Sequence, residues 1–137
     1  MTVAFSIPVR VYYEDTDAGG VVYYANYLRY MERCRSDWLR SVGLEIRDLA
    51  ARFGVLFAVR AANVEYIKPA QLSDLLTVSV LVAKFGRVSL DLDQLIHRDD
   101  DLVCQGRIRL AGIDAETFLP KPFPDELTNE LTTWKTP

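Results

Sequence analysis

The chain has 137 residues, half of them apolar and 26% charged, with a formal net charge of −3 and a sequence pI near 5.1. That length suits one domain with a real core, and the acidic balance argues against a nucleic-acid partner, which calls for a basic face. No run of about 18 apolar residues exists to span a membrane, and residues 1–10 lack the basic and long apolar regions of a signal peptide, so a cytoplasmic location is expected.

In chain order, Val9, Val11 and Tyr13 alternate with Arg10, Tyr12 and Glu14, which predicts a first strand over 7–14. Two carboxylates and two glycines follow in Asp15-Thr16-Asp17-Ala18-Gly19-Gly20. From Tyr27 the period changes, and Tyr27, Met31, Cys34, Trp38 and Val42 form the apolar stripe of a long helix. Its polar side carries Arg29, Glu32, Arg33, Ser36, Asp37 and Arg40. Asn26 is a candidate N-cap, a start one or two residues earlier being equally consistent, and Gly43 is placed to end the helix. A shorter helical piece over 46–53 stops at Gly54.

The rest of the body reads as strands. Residues 55–66 are extended and end before Pro69, and Leu76, Val78, Val80 and Val82 alternate with polar or smaller neighbours. A turn at Phe85-Gly86-Arg87 leads to Val88, Leu90, Leu92 and Ile96 on one face, opposite Ser89, Asp91 and Asp93. Asp99-Asp100-Asp101 turns the chain again, and 102–113 returns with Cys104, Ile108 and Leu110 inward. His97 is expected in the loop of that hairpin. Pro120, Pro122 and Pro124 precede a tail helix carrying Leu127, Leu131 and Trp134. No internal repeat or linker divides the body, so residues 1–137 form a single α+β domain whose long helix covers one face of an antiparallel sheet. Cys34 and Cys104 belong to different elements and are expected as buried thiols.

The chemistry concentrates in residues 12–27. Glycines accept φ > 0 and let a ligand approach the main chain. A helix start offers unpaired N–H donors and partial positive charge to a carbonyl oxygen that becomes an oxyanion. An acid beside such a site is the makings of acyl transfer. Asp17 is the candidate acid, although Asp before glycine also closes ordinary Asx turns. Asp15 either faces Asp17 as a like-charge neighbour or braces the loop through the backbone, with Thr16 between them able to hold either carboxylate. A lone His97 cannot build a two-histidine metal site, no Gly-x-Ser-x-Gly elbow is present, and no Walker-type loop appears. Neither a metal nor another cofactor is expected.

The stretch Val11-Tyr12-Tyr13-Glu14-Asp15-Thr16-Asp17-Ala18-Gly19-Gly20-Val21-Val22-Tyr23 resembles the signature of the 4-hydroxybenzoyl-CoA thioesterase family, in its Tol–Pal-associated branch. The likeness continues through the long helix, Glu65-Tyr66-Ile67-Lys68-Pro69-Ala70, the Asp74 turn and later strands, roughly residues 7–120. It implies a hotdog fold and cofactor-independent hydrolysis of short-chain or aromatic acyl-CoA thioesters. Asp17 would be nucleophile or general base, and the amide at Tyr24 the oxyanion donor. That branch often has His where this chain has Tyr24, whereas aromatic acyl-CoA thioesterases can carry Tyr. Gly20, Val22, Tyr23, Asn26 and Tyr27 would contact substrate, with the tyrosines as an acyl-pocket wall. Lys68, Arg60 and Arg87 are candidates for the phosphates of coenzyme A, each otherwise a solvated charge, and Ser89 matches a serine in family members. The resemblance also implies side-by-side pairing into a homodimer or homotetramer with active sites between subunits. An acyl carrier protein as thiol carrier, or phospholipid-synthesis enzymes as partners, follow from family likeness alone. Two other readings stand beside this one: a hotdog hydratase or dehydratase, and a non-catalytic thioester-binding or scaffold protein. Glu32 and Glu65 are fallback carboxylates.

Overall fold

A computed structural model describes residues 5–132. Five strands build one antiparallel sheet: β1 (Phe5–Arg10), β2 (Val55–Tyr66), β3 (Leu75–Phe85), β4 (Ser89–Arg98) and β5 (Asp101–Asp114), in the order β1-β3-β4-β5-β2. The hairpins β3–β4 and β4–β5 follow directly from the two turns, whereas β2 crosses to the far edge and pairs with β5 from Val55↔Asp114 to Tyr66↔Cys104. Both edges therefore belong to strands distant in sequence, β1 and β2.

Helix α1 (Ala25–Ser41) lies across the inner face. Its buried stripe is wider than the spacing alone predicts, since Tyr30 and Leu39 join Tyr27, Met31, Cys34 and Trp38. These pack on Leu76, Val78, Leu92, Ile96 and Ile108 in one apolar core. The helix sits close on β5: a Cβ at Gly106 would lie 3.1 Å from Met31 Cε. At the other end, the N–H of Leu44 donates to Leu39 O and that of Gly43 to Arg40 O, which closes α1 as a Schellman turn. After a 3₁₀ turn (Ile46–Asp48), the short α2 (Leu49–Phe53) ends at Gly54. The C-terminal segment returns over β5, with Phe123 packed on Phe57 and Phe85, and α3 (Asp125–Thr132) buries Leu127 and Leu131.

One polar side chain sits in the core. Gln94, fully buried on β4, accepts from Arg35 Nη1 at 2.8 Å and donates to the Met31 carbonyl at 3.0 Å. Burial holds the Arg35 guanidinium below its ordinary range, and the neutral amide partners it without a counter-charge. On the outer face, Arg109 meets the buried Asp91 through two bonds of 2.8 and 3.0 Å.

Four local expectations change. The first strand ends at Arg10, four residues early, because the chain folds into a 3₁₀ turn at Tyr13–Asp15. There Asp15 Oδ2 accepts from the Tyr12 N–H at 2.9 Å and the Thr16 hydroxyl donates to Tyr13 O at 2.7 Å, so side chains take over the bonds that a strand would have made. Asn26 is not the cap: α1 begins at Ala25 after Tyr24, the earlier of the starts that the sequence allowed. His97 lies within β4, and only Asp99 and Asp100 form the turn. Val88 precedes β4. Trp134 lies outside the described residues. Among the described residues, no helix is long and apolar enough to cross a membrane.

Replacing Gln94 by Leu strips Arg35 and the Met31 carbonyl of their partner inside the core. A loss of about 2–3 kcal/mol in unfolding free energy is expected, read as a lower urea midpoint with unchanged slope.

Candidate active site

The loop from Thr16 to Val22 is a closed hairpin, bridged at its base by Thr16 and Val22. Within it the Asp17 N–H donates to Val21 O and the Gly20 N–H donates to Asp17 O, both at 3.0 Å. Gly20 takes φ +78°, a left-handed value that the turn requires and that glycine tolerates without strain. Asp17 is exposed at the tip, and its Oδ1 accepts from the Gly19 N–H at 2.8 Å. That is an Asx turn, and it engages one oxygen only; among the described residues nothing donates to Oδ2.

Two backbone units hold this loop to the body. The Asp15 carbonyl accepts from the Tyr23 N–H and from Asn26 Nδ2, each at 2.9 Å. The buried Ala70 peptide accepts from the Val22 N–H at 2.8 Å and donates to Tyr27 Oη at 3.1 Å. Asp15 thus braces the loop, through its carbonyl and through the bond of its carboxylate to the Tyr12 N–H. Tyr30 is fully buried nearby; burial first, then Asp15, push its ionisation above the ordinary tyrosine range. Between the two anchors stands the N–H of Tyr24, at the first step into α1, with no acceptor among the described residues.

Beside it opens an aromatic cavity of about 220 Å³ lined by Val22, Tyr24, Tyr27, Tyr66, Ile67 and Lys68. Tyr66 stands edge-on to Tyr24 (5.9 Å between centroids, 88°) and tilted against Tyr27 (5.6 Å). Tyr23 and Tyr24 are 5.1 Å apart. Tyr66 was not singled out by the sequence pattern, although it closes a strand next to Pro69 and Ala70, where a ring can reach over a helix start. Cys104 lies across from Tyr66 in β5. Lys68, also at this cavity, pairs with Asp101 at 3.0 Å.

The remaining cation and serine candidates stand elsewhere in the chain. Ser89 pairs with Ala111, which pairs with Ala58 of β2. From there to Cys104 and Tyr66 is seven residues along β5, about 24 Å. Arg87 precedes Ser89 by two residues and is exposed. Arg60 is the bulged residue of β2, where the pairing skips from Val59 to Ala61. At that end a second, largely apolar cleft of about 270 Å³ is lined by Glu32, Arg35, Leu39, Leu56, Phe57 and Val59, among others. Glu32, on the solvent side of α1, accepts from the Ser36 hydroxyl. No group of three or more His, Cys, Asp or Glu able to hold a metal occurs among the described residues.

A carboxylate at a hairpin tip, an open helix-start amide and an aromatic cavity thus lie close together in the chain on a hotdog scaffold. Residues 11–131 match the family model described as the thioesterase-like superfamily. The chain is 37% identical over 123 residues, 90% of each chain, to the Haemophilus influenzae protein named acyl-CoA thioesterase YbgC. It is 36% identical over 131 residues, 95% of this chain and 97% of the other, to the Escherichia coli acyl-CoA thioester hydrolase YbgC. The crystal structure of a probable thioesterase from Bartonella henselae superposes with a TM-score of 0.84 at 31% identity, covering 89% of this chain and all of that one. The chain belongs to the thioesterase-like superfamily and is a thioester hydrolase of the Tol–Pal-associated branch, as its motif implied.

Burial pushes the Cys34 and Cys104 thiols up to about 12, so neither supplies a thiolate near neutrality. Iodoacetamide at pH 8 is expected to leave both unmodified by mass in the native protein and to label both in urea. The folded chain holds these protons more tightly than the unfolded chain, whose thiols ionise near pH ~8.5. Their contribution to stability is therefore full below that pH and is lost as pH rises toward about 12.

Proposed function

We propose that this chain hydrolyses acyl-CoA thioesters, with Asp17 as the working carboxylate and the Tyr24 N–H as the oxyanion donor. The observation that carries the reading is the open N–H at the start of α1, one hairpin away from a carboxylate with a free oxygen. A thioester carbonyl is already a good electrophile, so little else is required. Asp17 Oδ2 either adds to the carbonyl carbon, giving a mixed anhydride and releasing the thiolate, or takes a proton from a water that adds in its place. In both routes the negative charge moves to the carbonyl oxygen, where a preorganised donor gains most. The tyrosine wall favours a flat or short acyl group, since a ring stacks at about 5 Å on such surfaces. Coenzyme A is the favoured thiol carrier, with an acyl carrier protein as the alternative.

The active unit in this reading is a dimer formed along β2. The two sheet edges differ in kind. β1 has six residues with Pro8 inside it, which blunts an edge. β2 has twelve, no proline, and a run of exposed residues through Val59, Ala61 and Ala62. A free edge of that length pairs readily with a copy of itself. Antiparallel pairing about its middle would bring the Val55 end of one subunit, with its apolar cleft, Arg60, Arg87 and Ser89, against the Tyr66 end of the other. The small aromatic cavity then gains a second wall, reaching the few hundred Å³ that a ligand of this size needs. Arg60, Arg87 and Lys68 would rim that joint site, where cations hold phosphates well.

Free-thiol release from short aliphatic, long aliphatic and hydroxybenzoyl-CoA, wild type against Asp17→Asn, tests the chemistry. Turnover is expected to fall at least 10³-fold in the variant with the fold intact; equal turnover would shift the reading to a thioester-binding protein or another acid. Sedimentation is expected at no less than twice the 15.6 kDa chain mass. A fully active monomer would overturn the shared site.

A further inference from the structure

Asn26 occupies the second position of α1 and is 7% exposed, with its amide turned back under the preceding loop. Its partner, the Asp15 carbonyl, can only accept, so the amide presents Nδ2 and the bond has one sense. That carbonyl has two lone pairs, and the Tyr23 N–H takes the other. The peptide between Asp15 and Thr16 is therefore fixed by two donors, one just ahead of α1 and one in its first turn. Asp17 lies two residues beyond it, and Tyr24 lies between the two donors.

The hairpin tip contributes little stiffness of its own, being Ala18-Gly19-Gly20 with every residue exposed. Its exit is held at Ala70 through the Val22 N–H. Its entry is held by the Asp15 carbonyl, where Asn26 supplies the one side-chain bond. Asn26 lines neither the aromatic cavity nor the apolar cleft.

We propose that Asn26 is a positioning residue for thioester hydrolysis: it fixes the spacing between the Asp17 carboxylate and the Tyr24 N–H without touching substrate. The inference rests on the roles given above to Asp17 and Tyr24. A misplacement of about 1 Å between reacting groups costs on the order of 10² in rate. Binding, which depends on the cavity walls, is left alone. A residue that only supported the fold would lower stability and leave the turnover of the folded fraction unchanged.

The test uses the full-length protein with Asn26→Ala, Asn26→Asp and Asn26→Ser, assayed well below each unfolding midpoint. Asn26→Asp keeps the volume and sets an acceptor against a carbonyl, whereas Asn26→Ser keeps a short donor. Expected are kcat values about 100-fold down for Ala and Asp, less for Ser, with KM and affinity for a non-hydrolysable thioether analogue of acyl-CoA within twofold of wild type. Gln94→Leu is the control: destabilised, yet with wild-type kcat in its folded fraction. Turnover within twofold of wild type in Asn26→Ala or Asn26→Asp would overturn the proposal. So would failure of all three variants to fold, since the side chain would then hold the fold instead of the spacing. Undiminished turnover in Asp17→Asn would instead mark failure of the underlying assignment.

Discussion

The carbonyl of Asp15 accepts two bonds, one from Tyr23 just ahead of α1 and one from Asn26 in its first turn, and the position of that helix start relative to the sheet governs what the loop can do. Along most of its length α1 is held by apolar contact, which is strong but tolerant of small slides. A slide of one ångström costs little there and a great deal at a reacting centre. Directional bonds at Asp15 and Ala70 convert a greasy helix–sheet contact into a fixed frame. The arrangement spends polar groups where geometry matters and leaves the rest to the core.

The same division appears deeper in the protein. Gln94 ties α1 to β4 through Arg35 and the Met31 carbonyl, one turn past the point where Met31 rests against Gly106. A neutral amide beside a partly buried guanidinium is an expensive choice unless registry is what it secures, since an apolar residue would pack as well. Gln94 acts at the middle of α1 and Asn26 at its start, so the two amides secure different parts of the molecule.

Most of the scaffold could be read from periodicity. The β2 limits, the α1 stripe and the β3 alternation follow from burial on one face, which is the signal that hydrophobic spacing carries. Two of the misreadings fall where side chains replace backbone partners. Tyr13 fits the alternating pattern, yet the Asp15 carboxylate and Thr16 hydroxyl pull it into a 3₁₀ turn. Asn26 has the chemistry of a cap, and it bonds to a carbonyl eleven residues back instead of to its own helix. Asp17 is singled out by the motif around it, and in the structure its side chain closes an Asx turn at the hairpin tip. Tyr66 and Gln94 were not legible, because their partners are 39 to 63 residues away: two residues in one cavity or one bond have no sequence spacing to betray them.

The distribution of candidate residues along β2 also constrains how such a site can change. The candidate acid, the proposed oxyanion donor and the brace lie within twelve residues, Asp15 to Asn26. The apolar cleft lies at the far end of the strand, with Arg87 and Ser89 in the neighbouring turn and strand. Pairing β2 with itself would join chemistry from one copy to selectivity from the other. Substitutions at Leu56, Phe57 or Val59 could then alter which acyl group fits without disturbing the spacing of the reacting groups. In the proposed dimer that separation would place the geometric demand on the loop and leave the strand edge under demand only for shape.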